Sequence, residues 1–97
     1  MFMSLNIAVA KELGVNEGVL FVSIKQEIAR SKQKGMGDWI KKSAREIAEE
    51  HPFLSRRQVE RAVDNLVKNG YLEKDFRSPD KLDRASWFSL TQKGVLA

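Results

Sequence analysis

The sequence predicts an α+β fold, mainly α-helical with a small β-hairpin, on three observations. Ser43-Ala44-Arg45-Glu46 and Ser55-Arg56-Arg57-Gln58 are two capping boxes in quick succession. In such a box the leading hydroxyl accepts from the backbone N–H three residues on, and the Glu or Gln reaches back. Only His51-Pro52-Phe53-Leu54 separates the two helices these boxes open. Asn69-Gly70 then stops the second helix and leads into a strand-like run over 71–76. Helix, tight break, basic helix, strand is the order of a winged helix-turn-helix, an arrangement that sets one helix in a DNA groove.

The elements follow in order. Residues 4–13 carry Leu5, Ile7, Ala8, Val9 and Leu13 and read as a short helix ended by Gly14. Asn16 is a candidate cap for a helix over 16–33, with Glu17 in its first turn. Leu20, Ile24 and Ile28 form its core-facing row. After the polar turn 31–35, Trp39-Ile40-Lys41 reads as a very short strand. The helix over 44–50 stops before Pro52, because the residue preceding a proline avoids helical geometry. The helix over 56–69 places Val59, Ala62, Val63, Leu66 and Val67 on one stripe. Strands over 71–76 and 85–90 flank a polar, Pro-containing loop at 77–84, the shape of a wing. The tail after Leu90 reads as loose or as a short helical stub. Trp39, Trp87, Phe88 and Tyr71, with Phe21, Phe53 and Phe76, are core candidates, since strand aromatics pack a sheet against its helices.

The chain of 97 residues makes one small domain, 1–97, without repeats or linkers. It has no Cys, which removes disulfides, Cys-ligated zinc and thiol nucleophiles together. No segment approaches the roughly 20 apolar residues of a membrane helix, and the first residues lack the basic region of a signal peptide. A cytoplasmic protein without membrane contact is expected. The net charge of +4 is permissive for nucleic acid.

The position of that charge is more informative than its sum. On a wheel turning about 100° per residue, the side of the 56–69 helix opposite Val59 presents Arg57, Arg61 and Lys68, flanked by Gln58 and Asn65. Arg donates two hydrogen bonds to a guanine edge, and Asn or Gln pairs likewise with adenine. Arg57, Gln58, Arg61 and Asn65 are therefore the candidate base readers. Lys41, Lys42, Arg45, Ser55, Arg56, Lys68, Arg77, Lys81 and Arg84 are the candidate phosphate contacts. The competing reading is an ordinary solvated helix face. Glu60 and Asp64 favour it, and Arg57–Asp64 or Arg61–Asp64 spacing suits local ion pairs.

An enzyme finds no support. His51 is the only histidine, and no metal-ligand spacing, phosphate-binding glycine loop or triad spacing surrounds it. No cofactor and no metal are expected.

Asn16-Glu17, Trp39, Ser43, Pro52-Phe53-Leu54-Ser55, Val59-Glu60-Arg61-Ala62, Leu66, Gly70-Tyr71-Leu72, Arg84 and Trp87-Phe88-Ser89-Leu90 together carry a resemblance. The chain resembles the N-terminal winged-helix domain of DnaD-like and phage or plasmid replication-initiation proteins. The likeness spans nearly the whole chain, is moderately specific for a winged helix, and is only weakly specific for replication. It implies binding to origin DNA, self-association, or both. In that family a second, helical domain that contacts other replication proteins often follows. The chain ends at Ala97, so it reads as a fragment or as a stand-alone binder. Two further departures are Gly18, where a helix-favouring Ala is expected, and Gln26-Glu27, where aromatics are frequent. The expected function is sequence-selective binding of double-stranded DNA, as a homodimer, in replication initiation or its control on a phage, plasmid or bacterial chromosome. The alternatives are a winged-helix transcriptional repressor, or a protein-interaction module that docks through Phe2, Met3, Leu5 and the first helices.

Overall fold

Every helix except α2 begins where a side chain accepts from one of its first backbone amides. The computed structural model describes residues 4–75 and 86–97. The expected wing, with Arg77, Lys81 and Arg84, lies outside the described residues, as do Phe2, Met3 and Phe76. Asn6 Oδ1 accepts from the Val9 N–H at 3.0 Å, so α1 covers Ile7–Leu13 and starts three residues later than Ser4. Gly14, at φ 131°, ends α1 and directly opens α2, Val15–Gln33. That backbone angle reverses the chain without a linker and is readily adopted only by glycine. Asn16 consequently lies inside the first turn of α2 and is not its cap.

Strand β1 spans Ile40–Lys42, one residue beyond the expected 39–41. Its register sets this: Ile40 pairs with Phe88 and Lys42 with Ser86, and Trp39 stays outside the ladder. Both capping boxes are formed. Ser43 Oγ accepts from the Glu46 N–H at 3.1 Å and opens α3, Ala44–Glu50. Ser55 Oγ accepts from the Gln58 N–H at 3.1 Å and opens α4, Arg56–Lys68, while Gln58 Oε1 accepts from the Ser55 N–H at 2.8 Å. Strands β2, Leu72–Asp75, and β3, Ser86–Leu90, follow, and Thr91 caps a short α5, Gln92–Leu96. The sheet is antiparallel in the order β1-β3-β2. The architecture is mainly helical with a small three-stranded sheet.

The core sits between α2, α4 and the sheet. Val19, Leu20, Phe21, Ile24 and Ile28 of α2 and Val59, Ala62, Val63 and Leu66 of α4 are buried, with Tyr71, Leu72 and Phe88 from the sheet side. Phe21 and Tyr71 meet edge to face at 5.5 Å. The unexpected Gly18 has a packing reason. A Cβ there would stand 2.9 Å from Ala10 Cβ and 3.0 Å from the Asn6 carbonyl oxygen, so α1 lies closely against α2 because position 18 has no side chain.

Phe53 does not join the core; it is 51% exposed. The Leu54 N–H bonds the His51 carbonyl at 2.9 Å in the tight break. Leu54 is buried there, while Phe53 stays outside with its ring edge-on to His51 at 6.1 Å. Trp39 and Trp87 are half-buried only. Among the described residues no helix is long and apolar enough to cross a membrane.

Candidate nucleic-acid interface

Helix α4 divides cleanly because its apolar residues recur at three- and four-residue spacing. The stripe through Val59, Ala62, Val63 and Leu66 is buried, and Arg57, Gln58, Arg61, Asp64 and Lys68 are exposed. Ser55, Arg57, Gln58 and Arg61 line one concavity of about 300 Å³ at the start of the helix. Among the described residues Arg57, Arg61 and Asp64 form no ion pair with one another or with any neighbour. The local pairing that their spacing permits is therefore absent, and the two guanidinium groups keep their donors.

The capping box has a second effect at this spot. Gln58 holds the Ser55 N–H through its Oε1, so its amide oxygen is engaged while the residue still lines the concavity. Arg56 points away, paired with Glu60 at 3.2 Å. It borders a different hollow of about 300 Å³ between α3, α4 and the sheet, where Glu60, Asp64, Lys42 and Lys74 mix the charges.

Two expected contacts are held elsewhere by long-range partners. Asn65 is half-buried, and its Nδ2 donates to Glu17 Oε1 at 3.3 Å. Glu17 is itself 7% exposed, so this bond ties α4 to the first turn of α2. Asn65 is a positioning residue in this arrangement, not a free reader. Lys42 is likewise committed. Its ammonium bonds Glu27 of α2 at 3.1 Å and Glu50 of α3, and its side chain is only 18% exposed. Lys42 shares the face of Ile40, two residues back, which points inward; that alternation was the available sequence signal.

The electrostatics of this triad are asymmetric. Burial opposes the charge on Lys42, but the hydrogen bonds to Glu50 and Glu27 outweigh it and raise its pKa above the ordinary lysine value. Burial lifts the Glu27 carboxyl above its usual range despite the hydrogen bond to Lys42, and Glu50 adds to the rise. Burial acts on Glu50 too, yet its hydrogen bonds to Lys42 and Glu27 hold it below that range. The triad clamps α2, β1 and α3 together and, with one cation for two carboxyls, offers no positive surplus to a phosphate.

Of the remaining phosphate candidates, Arg45 is exposed and pairs with Glu49 at 3.2 Å. Lys68 is exposed in the last turn of α4. Lys41 is exposed on β1 and lines a separate groove. No group of three or more His, Asp or Glu able to hold a metal occurs among the described residues.

No family model matches this chain, and comparison with curated proteins and with solved structures gives no match.

Proposed function

We propose that this chain is a winged helix-turn-helix domain that binds double-stranded DNA with sequence selectivity, α4 entering the major groove. The observation that carries the reading is the exposed set Ser55, Arg57, Gln58 and Arg61. These residues lie side by side at the start of a one-sided helix, and both guanidinium groups are uncommitted among the described residues. Support also comes from the element order helix, strand, helix, helix, strand, strand, and from the sheet order β1-β3-β2. The N-terminal residues of a second helix are those that reach base edges in helix-turn-helix proteins. Arg57 and Arg61 read guanine edges in this proposal and Gln58 offers its NH2 end. Ser55, Arg45, Arg56 and Lys68 contact phosphate, Asn65 ties the reading helix to α2, and Lys42 fixes α3 against α2. A replication-initiation or control role follows from the resemblance to DnaD-like domains, and pairing of two copies would supply a second half-site.

Fluorescence anisotropy with random duplex DNA across a salt series tests this. The expected result is a negative slope of log affinity against log salt, and a shallower one in Arg57→Ala/Arg61→Ala, because on random duplex the two guanidinium groups meet phosphate in place of a matched guanine edge. An unchanged slope in the double variant overturns the assignment of α4.

The second reading, a protein-docking module, draws on Ile7 and Val15, which are exposed around the α1–α2 joint. Stable association without salt-dependent DNA binding would favour it.

A further inference from the structure

Both tryptophans of the chain line one groove. It runs between the C-terminal end of α2 and the sheet, has a volume of about 420 Å³, and is walled by Met36, Trp39, Ile40 and Trp87 with Arg30, Lys34 and Lys41 among the polar residues. That size falls within the range of ligand pockets, about 300–1,000 Å³. Trp87 stands directly across the ladder from Lys41, and cross-strand partners share a face of the sheet. Met36 is 74% exposed at the rim.

Cations outnumber acids in the lining of this groove, Arg30, Lys34 and Lys41 beside Glu27. Glu27 is bonded to Lys42 at 3.1 Å, and Asp38 lies 4.0 Å from Lys32. Arg30 and Lys34 are exposed and have no ion pair among the described residues. Glu73 and Asp75 of β2 do not wall the groove, although Asp75 pairs with Trp87 across the ladder from the side opposite Lys41. Half-exposed aromatics interleaved with cations are the composition of a stacking platform for unpaired bases.

We propose that this groove binds single-stranded nucleic acid, an unpaired base stacking against Trp39 and Trp87 while Arg30, Lys34 and Lys41 hold the flanking phosphates. The site is separate from the concavity on α4, with which it shares no lining residue, and it does not rest on duplex binding there. A peptide adding a strand is the less suitable occupant. β1 offers an edge of only three residues, two of them lysines, and short, lysine-bearing edges resist strand addition. The indole faces suit every base, so the site tolerates sequence and complements a selective duplex reader.

Because the chain has only these two tryptophans, tryptophan fluorescence excited selectively over Tyr71 reports on this groove alone. The test titrates the full chain with an oligothymidylate of about 12 nucleotides, and separately with a blunt duplex. The expected result is saturable quenching by the single strand and markedly less by the duplex. Arg30→Ala/Lys34→Ala, two exposed positions, should weaken single-strand binding and flatten its salt slope by about 1.4, at roughly 0.7 per phosphate. Trp87→Ala, followed by anisotropy of a labelled strand and checked for folding by circular dichroism, should bind at least about fivefold more weakly. Arg57→Ala/Arg61→Ala should leave the single-strand quenching intact.

Absence of quenching overturns the proposal, as does equal quenching by duplex or loss of quenching in the α4 variant. Quenching by an acidic aromatic peptide and not by the oligonucleotide assigns the groove to a protein partner. Emission that shifts with protein concentration alone, matched by sedimentation, assigns it to a second copy. Either result rejects a nucleic acid.

Discussion

Helix α2 buries Val19, Leu20, Phe21, Ile24 and Ile28, side chains that point around more than half its circumference. Helix α4 buries Val59, Ala62, Val63 and Leu66 along a single stripe. The first is therefore the hub against which α1, α4 and the sheet pack, buried without a break from Glu17 to Phe21. The second contributes one side to the core and keeps the other. Chemistry can reside only where a helix is not needed for packing, which here means the outer face of α4 and the last turns of α2, at Arg30 and Lys34.

The contrast is broken most severely at Phe21. It is fully buried and packed on Tyr71, and Phe21→Ala should cost about 3–5 kcal/mol in urea unfolding. A small loss would mean that α2 is not the hub.

Lys42→Met tests the clamp that fixes α3 to α2. In the native chain Glu27 is raised, so its contribution is present in acid and lost as pH rises through its folded pKa. Glu50 is lowered, so its contribution is present above the carboxylate range and lost as pH falls. The two oppose one another and flatten the native profile near pH 4–5. The contribution from Lys42, whose pKa is raised, holds through neutrality and is lost only as pH rises through the lysine range. Without the lysine both carboxyls are pushed up by burial and by each other. The variant should lose about 1–2 kcal/mol at pH 7 and recover part of it near pH 4–5. Denaturation midpoints across that range read the sign, and a loss that grows in acid would reject the account.

Gly18→Ala sets two effects against each other. Helix propensity gains about 1 kcal/mol, but crowding against Ala10 and Asn6 costs about 1–3 kcal/mol. A net loss of about 1 kcal/mol in thermal or urea unfolding is expected, and a gain would show that α1 moves freely on α2. The smallest effect belongs to the free face. Arg57→Ala/Arg61→Ala should leave stability within about 0.5 kcal/mol, so any loss of duplex affinity in that variant reports on contact and not on folding.

What the sequence revealed of this molecule was local. Ser43-Glu46 and Ser55-Gln58 lie three residues apart and form their boxes whatever surrounds them, and Gly70 turns the chain at φ 80° for reasons of backbone sterics. Gly14 was legible as a stop but not as a joint, because its dual role depends on α1 folding back on α2. The bond from Asn65 to Glu17 and the clamp of Lys42 by Glu27 and Glu50 join residues distant in the chain. A helical wheel sees only its own helix, so it set Asn65 on the polar side without the partner that holds it. The two tryptophans were legible as sheet aromatics. That they share a groove with Arg30 and Lys34 required the register of Lys41 against Trp87.

The sheet order carries a consequence for assembly. The α3–α4 hairpin closes over the five residues between its helices, and β2 follows α4 almost at once. β1 waits for β3, because Ile40 must find Phe88 across both helices and β2. Closing so long a loop costs more entropy than any neighbouring step and places that pairing late in the order of events. The groove formed by Trp39 and Trp87 is therefore completed only by that long-range pairing, whereas the concavity on α4 is lined by Ser55, Arg57, Gln58 and Arg61, which lie within seven residues of one another.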